Sequence, residues 1–297
     1  MPRLSVVIPH FGDSRPTTHL VQQLLAQDGV DEVIVVDDAS PSPFPAMAGV
    51  RLKRRPTNGG FGAAVNSGVA EASGDLALVL NSDVTVGPRF VTDLLEAAEP
   101  WLPAVVSPRV VSRAGTNEWV GRHFPTVAHQ VVEWLHPLVR LRPRLHEAVG
   151  HDTSALGRTA VVDWVIGAAL LLPVEPFRAV GGFDERFHMN AEEVDLQRRL
   201  RSSGIRSVVV EEPHIVHEGG GSTPSPDRRR WLVESRLAYA HKWGGPIAER
   251  RLRAALITAS AANLFWNIAR AMAGRDSQPL STFRSELALL RTRRGLG

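Results

Sequence analysis

The chain has 297 residues, a formal net charge of +3 at neutral pH and 43% apolar residues, which is an ordinary composition for a globular protein. It contains no cysteine, so disulfide bonds, thiolate metal sites and cysteine nucleophiles are excluded. No stretch reaches the roughly 18–20 apolar residues of a membrane-spanning helix, and Pro9 interrupts the N-terminal apolar run too early for a signal peptide. We therefore expect a cytoplasmic protein.

The first hundred residues alternate between short apolar runs and segments with helical spacing. Strands are predicted at residues 4–8, 32–38, 50–53 and 76–80, with helices at 17–26, 61–71 and 89–99. We expect Pro9 to end the first strand. Strands that alternate with helices predict βαβ units, so the fold class is α/β with a mostly parallel, Rossmann-like sheet flanked by helices.

Periodicity weakens after residue 109 and returns near residue 161. Strands are predicted at residues 161–165, 168–172 and 208–210, helices at 175–180 and 192–203, and a loop at 222–227. From Trp231 onward the chain is helical, basic and amphipathic.

The predicted strand at 76–80 leads directly into Asn81-Ser82-Asp83. A short apolar run bounded by turn residues is typical of a strand that is covered on both faces. Open α/β sheets bind ligands beyond the carboxyl ends of their strands. Asp83 can hold Mg²⁺ or Mn²⁺ there, because these ions take oxygen ligands and accept substrate phosphates as the others. The alternative is an ordinary strand-end turn.

Two further candidates lie at the ends of predicted elements. Asp37-Asp38 can accept hydrogen bonds from a base N–H or a ribose hydroxyl, and a turn or helix cap is the alternative. Asn58-Gly59-Gly60 opens a helix, and its glycines let backbone approach a ligand closely. The turn lacks the GxGxxG spacing and the P-loop lysine, so it indicates neither a dinucleotide site nor a P-loop; a tight packing turn is the alternative.

Three of the four residues in Glu192-Glu193-Val194-Asp195 are acidic, at the start of a predicted helix. Acidic residues in a first helical turn stabilise it by about 0.3–1 kcal/mol each, which accounts for one or two of them. A carboxylate here can therefore be a general base for an acceptor hydroxyl. Asp195 precedes Arg198 and Arg199 at helical spacing, so an ion pair is the alternative for Asp195.

Three more side chains complete the set of candidates. The imidazole of His217 can complete a metal shell, and a structural histidine is the alternative. Trp164 can stack on a sugar ring or fill the core. Asp184 lies in the segment 181–185, whose two glycines indicate unusual backbone angles near a site.

Together these segments resemble the inverting family 2 glycosyltransferases with a GT-A fold, in particular the rhamnosyltransferase-like branch. The resemblance runs from Leu4 to about Trp243, and it depends on the order and spacing of the matching blocks. Those blocks are residues 5–9, 35–40, 58–66, 81–83, 181–185 and 192–196, and His217 with Gly220 and Ser222.

The resemblance implies a role for each matched residue. Asp38 would bind the donor nucleoside, and Glu193 would be the general base. Asp83 would hold Mg²⁺ or Mn²⁺ against the donor diphosphate, with His217 as the distal ligand. The other donor-side residues would be Pro9, Asn58, Gly60, Asn81 and Ser82, and the acceptor-side residues would be Trp164, Asp184, Glu192 and Asp195.

Two positions depart from the family pattern. The DxD-type motif is Asn81-Ser82-Asp83, which leaves one carboxylate for the metal. Glu192-Glu193 replaces the usual Glu-Asp pair, which lengthens the base by one methylene, or about 1–1.5 Å. Residues 227–231 lack the glutamine of the QxxRW motif of processive members, so polymer synthesis is not expected.

The implied function is transfer of a sugar, rhamnose or a related hexose, from a nucleotide-diphosphate sugar to a hydroxyl of a glycan or lipid-linked acceptor in cell-envelope polysaccharide synthesis. A nucleotidyltransferase is one alternative, although residues 9–12 are not the basic glycine-rich loop usual in that class. A non-catalytic nucleotide-sugar binder is another, and Glu193 argues against it. Nucleic-acid binding is not expected, because the basic tail lacks interleaved aromatic residues.

The charge is unevenly distributed, with +7 on residues 231–297 and −4 on residues 1–230. An apolar, Trp-bearing centre with basic flanks suits a helix that lies on an anionic membrane surface, which would make the protein peripheral on the cytoplasmic face. The alternatives are a solvated tail, a helix packed on the catalytic domain, or a contact in a homo-oligomer. The flanking residues are Arg250, Arg251, Arg253, Arg270 and Arg275, and the apolar ones Leu256, Ile257, Leu264, Phe265, Trp266 and Ile268.

The change in pattern predicts the domain organisation. A GT-A domain would cover residues 1–240, with a nucleotide-binding half at 1–109 and an acceptor-binding half at 110–240. A C-terminal helical region would cover residues 241–297.

Overall fold

The structure, a computed structural model, describes residues 2–139, 141, 144–188, 190–217 and 225–291, with residues 225–227 described by their backbone alone. Gly220 and Ser222, which belong to a predicted block, lie outside the described residues. The chain forms two compact units, one of residues 1–123 and 152–223 and the other of residues 124–151 and 224–297. We call them the sheet unit and the helical unit. The predicted domain limits at residues 109 and 240 stay predictions.

The secondary structure follows the predicted alternation of strands and helices. The strands are β1 (Leu4–His10), β2 (Glu32–Asp37), β3 (Val50–Arg54), β4 (Leu76–Leu80), β5 (Val84–Val86), β6 (Ala104–Ser112), β7 (Gly121–Arg122), β8 (Ala160–Val162), β9 (Trp164–Val165), β10 (Ala169–Pro173) and β11 (Arg206–His217). The longer helices are α1 (Ser14–Leu25), α2 (Phe61–Glu71), α3 (Phe90–Ala98), α4 (Val127–Trp134), α5 (Val174–Ala179), α6 (Glu192–Ser202), α7 (Ser225–Met272) and α8 (Pro279–Arg291).

The sheet unit contains a nine-stranded sheet in the order β3-β2-β1-β4-β10-β6-β11-β5, with β8 beside β11. The first four strands are parallel, as predicted, so that β1, β2 and β4 end at the same edge. β10 is antiparallel to β4 and β6, and β11 is parallel to β6 but antiparallel to β5. This mixed half brings the end of β11 back beside the residues that follow β4.

The core lies on both faces of the parallel strands, and β4 is buried along its whole length, as its unbroken apolar run predicts. Leu20, Val21 and Leu24 of α1, which recur at helical spacing, are buried in this core. Small residues let α2 approach closely: a Cβ at Gly68 would lie 2.4 Å from a methyl group of Val7. A side chain at this glycine would push the helix away from the sheet.

Several predicted limits were wrong, and the strand predicted at 161–165 is two short strands, β8 and β9. Pro9 does not end β1, which continues to His10; pairing with β4 stops at Val7, so the N–H that proline lacks is not needed on that side. α1 begins earlier, at Ser14, because the carboxylate of Asp13 caps it by accepting the N–H of Arg15. β11 is much longer than the predicted 208–210, and the predicted loop at 222–227 already belongs to α7 from Ser225.

The helical unit has its own core, in which Trp134 packs with side chains from α7 and α8. The indole N–H of Trp134 donates to Ser260 Oγ at 2.9 Å, so its polar atom is satisfied inside the core. Helical geometry in α7 is broken at Gly245, where φ is 69°. Among the residues that the structure describes, no helix combines the length and apolar character needed to cross a membrane.

Candidate active site

The carboxyl end of β4 leads into Asn81-Ser82-Asp83, whose residues are partly exposed. β5 follows at once and pairs with the end of β11, so that Val84 lies opposite His217. This pairing brings Nε2 of His217 within 3.4 Å of Asp83 Oδ1. On the other side of the ring, Nδ1 lies 2.9 Å from Oε2 of Glu118. His217 therefore stands between two carboxyl groups.

The charges in this cluster stabilise one another. The hydrogen bond with Asp83 raises the pKa of His217 to about 9, with a further contribution from Glu118 and against the effect of burial. Burial tends to raise the pKa of Asp83, but the hydrogen bond and positive charge of His217 outweigh it, so the pKa is lowered. At neutral pH the cluster therefore contains an imidazolium beside an ionised Asp83.

Once His217 has lost its proton, as metal binding requires, the same side chains fit a divalent cation. Asp83 and His217 offer one oxygen and one imidazole nitrogen that face each other. A ligating histidine usually bonds through its other ring nitrogen to a carboxylate, and Glu118 supplies that partner. The donor set suits Mg²⁺ or Mn²⁺.

Glu193 lies in the first turn of α6. Its carboxyl group packs against Gly167: the glycine N–H donates to it, and a Cβ at this position would lie 2.6 Å from Oε1. The next residue, Ala168, accepts a 3.0 Å hydrogen bond from the N–H of Asn81. The carboxyl group of Glu193 and the turn that carries Asp83 therefore contact the same short segment between β9 and β10.

The neighbouring Glu192 is buried, with 3% of its surface exposed, and its Oε2 has no hydrogen-bond partner among the described residues. Burial, followed by repulsion from Glu193, raises the pKa of Glu192 well above its ordinary value. Burial also raises the pKa of Glu193, against backbone hydrogen bonds and the charge of Arg122. Both side chains therefore hold their protons more tightly than exposed glutamates do.

The turn before α6 has an unusual backbone. Asn190 and Ala191 have φ angles of 62° and 91°, in the left-handed region that non-glycine residues rarely adopt. Such residues cost about 1–3 kcal/mol each and concentrate at functional sites. This turn directs the chain into α6 so that the glutamate pair begins the helix.

The aspartates at the end of β2 are surrounded by donors. Asp37 accepts the N–H groups of Ser40 and Phe44 at 2.8 and 3.1 Å and pairs with Arg54. Burial tends to raise its pKa, but the hydrogen bonds from Ser40, Phe44 and Arg54 outweigh it and lower the pKa. Asp38 is 4% exposed and pairs with the guanidinium of Arg55 at 2.8 Å.

The glycine-rich turn is held by Asp38, whose carboxylate accepts the N–H groups of Gly59 and Gly60 at 3.1 and 2.8 Å. Asn58 Oδ1 also lies 3.2 Å from the Gly60 nitrogen. Gly60 has a φ of 85°, and a Cβ there would lie 2.2 Å from the carbonyl oxygen of His188, so this position requires glycine. The structure thus brings Asp38, Asn58 and Gly60 together.

The donor-side roles of Asp38, Asn58 and Gly60 stay predictions, as do those of Asn81 and Ser82. Pro9, which was also predicted on the donor side, lies in β1 opposite Val36 of β2, and its role stays a prediction as well.

The acceptor-side candidates have well-defined partners. Asp195 is fully buried and pairs with Arg199 at 2.9 Å, one helical turn away, which is the ion pair that its spacing allowed. Asp184 pairs at 2.7 Å with the guanidinium two residues further on. Trp164 is partly exposed and donates its indole N–H to the main-chain oxygen of His123. Roles for these residues and Glu192 in acceptor binding stay predictions.

Several residues that hold the site together were missed. The amide of Gln197 donates to the carbonyl oxygen of Val165 and accepts its N–H, at 2.7 and 2.8 Å, which fastens α6 to β9. One signal existed: Gln197 lies four residues after Glu193, on the same side of the helix. Glu118 and Gly167 carried no local signal, because their roles arise from contacts between distant segments.

The loop at residues 181–185 is also held by the last residue of the matching block 58–66. Asn66 of α2 accepts the N–H of Phe183 at 2.8 Å and donates to its carbonyl oxygen at 2.9 Å. Gly182 leaves room for this amide, since a Cβ there would lie 2.5 Å from Asn66 Oδ1. The loop is thus fixed to α2 rather than free.

Comparisons with known proteins agree with this architecture. Residues 5–164 match Glycosyl transferase family 2. The chain is 31% identical over 230 residues to the N-acetylglucosaminyl-diphospho-decaprenol L-rhamnosyltransferase of Mycobacterium tuberculosis, across 70% of this chain and 74% of that protein.

Two solved structures share the fold. The mannosyltransferase PcManGT from Pyrobaculum calidifontis, in complex with GDP-Man and Mn²⁺, aligns with a TM-score of 0.58 and 19% identity over 97% of this chain and 80% of its own. GalNAc-T7 with UDP, GalNAc and Mn²⁺ aligns with a TM-score of 0.57 and 14% identity over 83% of this chain and 51% of its own. The curled α/β sheet is therefore that of a GT-A glycosyltransferase, as predicted.

The family match covers more than half of the chain. The protein therefore belongs to glycosyltransferase family 2, and its similarity to a rhamnosyltransferase assigns it to the rhamnosyltransferase-like branch.

Proposed function

We propose that the protein transfers a hexosyl group, rhamnose or a close relative, from a nucleoside-diphosphate sugar to a hydroxyl of a lipid-linked or glycan acceptor, with inversion at the anomeric carbon. The observation that carries this proposal is the position of the Glu193 carboxyl group against Gly167, beside the residue that bonds to the turn of Asp83. The rhamnosyltransferase relative, which is named for a polyprenyl-diphosphate acceptor, supports the choice of donor sugar and acceptor class.

In the proposed reaction, Glu193 removes the proton of the acceptor hydroxyl as its oxygen attacks the anomeric carbon. The bond between that carbon and the diphosphate oxygen breaks, and its electron pair leaves with the nucleoside diphosphate. One displacement therefore inverts the configuration. Burial raises the pKa of Glu193, which brings the base closer to the pH at which proton transfer is efficient.

Asp83 and His217 would hold the divalent cation, and Glu118 would orient the imidazole. When bound, the cation supplies positive charge that stabilises a departing diphosphate. The ring nitrogen among the ligands favours Mn²⁺ over Mg²⁺. Asp38 and its glycine-rich turn would shape the nucleoside side of the site.

The test is a transfer assay with the full-length protein. UDP-, GDP- and dTDP-linked hexoses are supplied with a short-chain polyprenyl-diphosphate N-acetylglucosamine acceptor, with Mn²⁺, with Mg²⁺ or with EDTA. We expect one donor to give a product with the opposite anomeric configuration, and EDTA to abolish its formation. Folded protein that transfers none of these sugars, or that retains the donor's configuration, would contradict the proposal.

The metal assignment has a separate test in Glu118→Gln. This change removes the carboxylate from His217 Nδ1, so Mn²⁺ affinity measured by calorimetry should fall by about 10–100-fold. Glu212→Gln is the matched control, because Glu212 pairs with His214 on the same strand and should leave the affinity unchanged. Equal affinities in all three proteins would show that Glu118 does not orient a metal-binding imidazole.

A further inference from the structure

The part of α7 that follows Gly245 exposes a continuous apolar stripe. Phe265 and Met272 are 71% and 84% exposed, and Ile257 and Ile268 are 42% and 38% exposed. Their spacing of three, four and eight residues places them on one face of the helix. Ala254 and Ala261 lie on the same face. We call these six residues the α7 stripe: Ala254, Ile257, Ala261, Phe265, Ile268 and Met272.

The opposite face of this helix is buried within the helical unit. Leu252, Leu256 and Ala259 contribute to its core, and Asn263 donates to the carbonyl oxygen of Trp134 at 3.1 Å. Leu256, which was predicted as part of the membrane-facing segment, therefore packs inside the unit. The fold of this unit uses one face of the helix and leaves the other covered by none of the described residues.

Arginines lie at both ends of the α7 stripe. Arg250 and Arg251 precede its first residue, and Arg270 and Arg275 lie on either side of its last residue, Met272. Residues 250–275 contain five arginines and no aspartate or glutamate. The long arginine side chains can extend their charges away from the apolar stripe toward a polar boundary. The surface thus has an apolar centre between two positive ends.

We propose that the α7 stripe binds the surface of an anionic lipid bilayer, with Phe265 and Met272 inserted at the boundary between head groups and acyl chains. An apolar face between basic flanks is the pattern of helices that lie in a membrane interface. Anionic lipid head groups attract such basic clusters with a contribution from each arginine. This inference goes beyond the transfer reaction, because it concerns attachment and is measured without donor or acceptor.

Charge also argues against a second copy of the chain as the occupant. Both ends of the stripe are positive, so pairing two copies brings arginines beside arginines whether the helices run parallel or antiparallel. Like charges that meet at an interface weaken it. A bilayer that contains anionic lipid instead offers opposite charge to both ends.

The experiment is co-sedimentation of the full-length protein with vesicles of equimolar phosphatidylcholine and phosphatidylglycerol at low salt. The double variant Phe265→Ser and Met272→Ser should reduce the partition coefficient by at least about tenfold, because burial of these side chains would be lost. The double variant Leu156→Ser and Val161→Ser is the control, since it removes two exposed apolar side chains, 51% and 41% exposed, from the sheet unit. It should bind as the parent does.

A second arm tests the charges. Arg250→Ala, Arg251→Ala and Arg275→Ala together should weaken binding and flatten its salt dependence, and vesicles of pure phosphatidylcholine should bind the parent poorly. The proposal is overturned if the parent does not bind anionic vesicles, or if the Phe265 and Met272 variant binds as well as the parent. It is also overturned if ultracentrifugation shows a dimer that this variant dissociates and vesicles remain unbound.

Discussion

Two pairs of adjacent acidic residues lie in the sheet unit, and their surroundings are opposite. Asp37 and Asp38 at the end of β2 accept backbone N–H groups and pair with Arg54 and Arg55. Glu192 and Glu193 at the start of α6 are desolvated, and Glu192 Oε2 has no hydrogen-bond partner in the described part of the chain. The aspartate pair is surrounded by donors, whereas the glutamate pair has few.

We propose that the difference reflects two uses of a carboxylate: holding neighbouring backbone in place at the end of β2, and taking part in proton transfer at the start of α6. Hydrogen bonds outweigh burial and lower the pKa of Asp37, so its ionised form stabilises the folded chain. Burial raises the pKa of both glutamates, so folding holds their protons more tightly. A group that accepts a proton during a reaction needs surroundings that raise its pKa toward the working pH, as those of the glutamates do. Adjacent carboxylates in a sequence therefore do not define a role until their donors are known.

The largest effect should come from Glu193→Gln. Loss of the general base should lower kcat for sugar transfer by about 10²–10⁴-fold, while donor binding measured by calorimetry stays unchanged. Glu175→Gln on the exposed side of α5 is the control. A variant that transfers sugar at the parental rate would make the glutamate pair structural, like the aspartate pair.

Gly167→Ala should reduce activity without removing any acid. The new Cβ would lie 2.6 Å from Glu193 Oε1, so the carboxyl group must move, and misplacement of a reacting group can cost on the order of 10²-fold in kcat. Gly87→Ala is the matched control, because a Cβ there meets no atom within 4 Å. If both variants keep the parental kcat, contact with Gly167 does not position the base.

Asp37→Asn should lower stability rather than turnover per folded molecule. The free energy of unfolding from urea titration should fall by about 2–4 kcal/mol at pH 7, because a buried charge-assisted network is broken. The pKa of Asp37 is lowered from 3.8, so this stabilisation is present above that value and is lost as pH falls through the folded pKa. The difference in free energy of unfolding between parent and variant should therefore disappear in acid. Asp28→Asn, at an exposed position, should show no such difference.

Glu192→Gln should have the smallest effect, and it should raise the free energy of unfolding rather than lower it. The pKa of Glu192 is raised above 4.5, so its contribution to folding is most favourable below that value and is lost as pH rises through the folded pKa. A neutral amide avoids the cost of ionising a buried carboxyl group. The free energy of unfolding of the variant should therefore exceed that of the parent by on the order of 1 kcal/mol as pH rises. If the variant were instead less stable than the parent, by a difference that grows with pH, the buried carboxyl group of the parent would be ionised and paired.

Local pattern was sufficient for much of the fold. The helix at Phe61–Glu71 and the strand at Leu76–Leu80 have the predicted limits, because glycines and turn residues bound both. The ion pair between Asp195 and Arg199 also follows from spacing along one helix. These features depend on residues that are close in the sequence.

The rest of the site depends on pairing between distant strands. Asp83 and His217 meet because β5 pairs with β11, which no local periodicity encodes. Glu118 comes from a stretch without clear periodicity, and Gly167 acts through its backbone and its lack of a side chain. The limit of β1 was misjudged for a related reason: the cost of Pro9 depends on which neighbouring strand continues beyond Val7.

The antiparallel pairing of β4 with β10 has a consequence for how such an enzyme can diverge. Leu80 pairs with Ala169, and the next hydrogen bond joins Asn81 to Ala168, so the segment that contacts Glu193 and the turn that carries Asp83 are placed by one strand register. Side-chain substitutions can change which sugars enter the site without altering this spacing. An insertion that shifted β10 by one residue against β4 would reverse the faces of its side chains, and no side-chain substitution would restore them. The length of this short connection therefore constrains where Glu193 lies relative to Asp83.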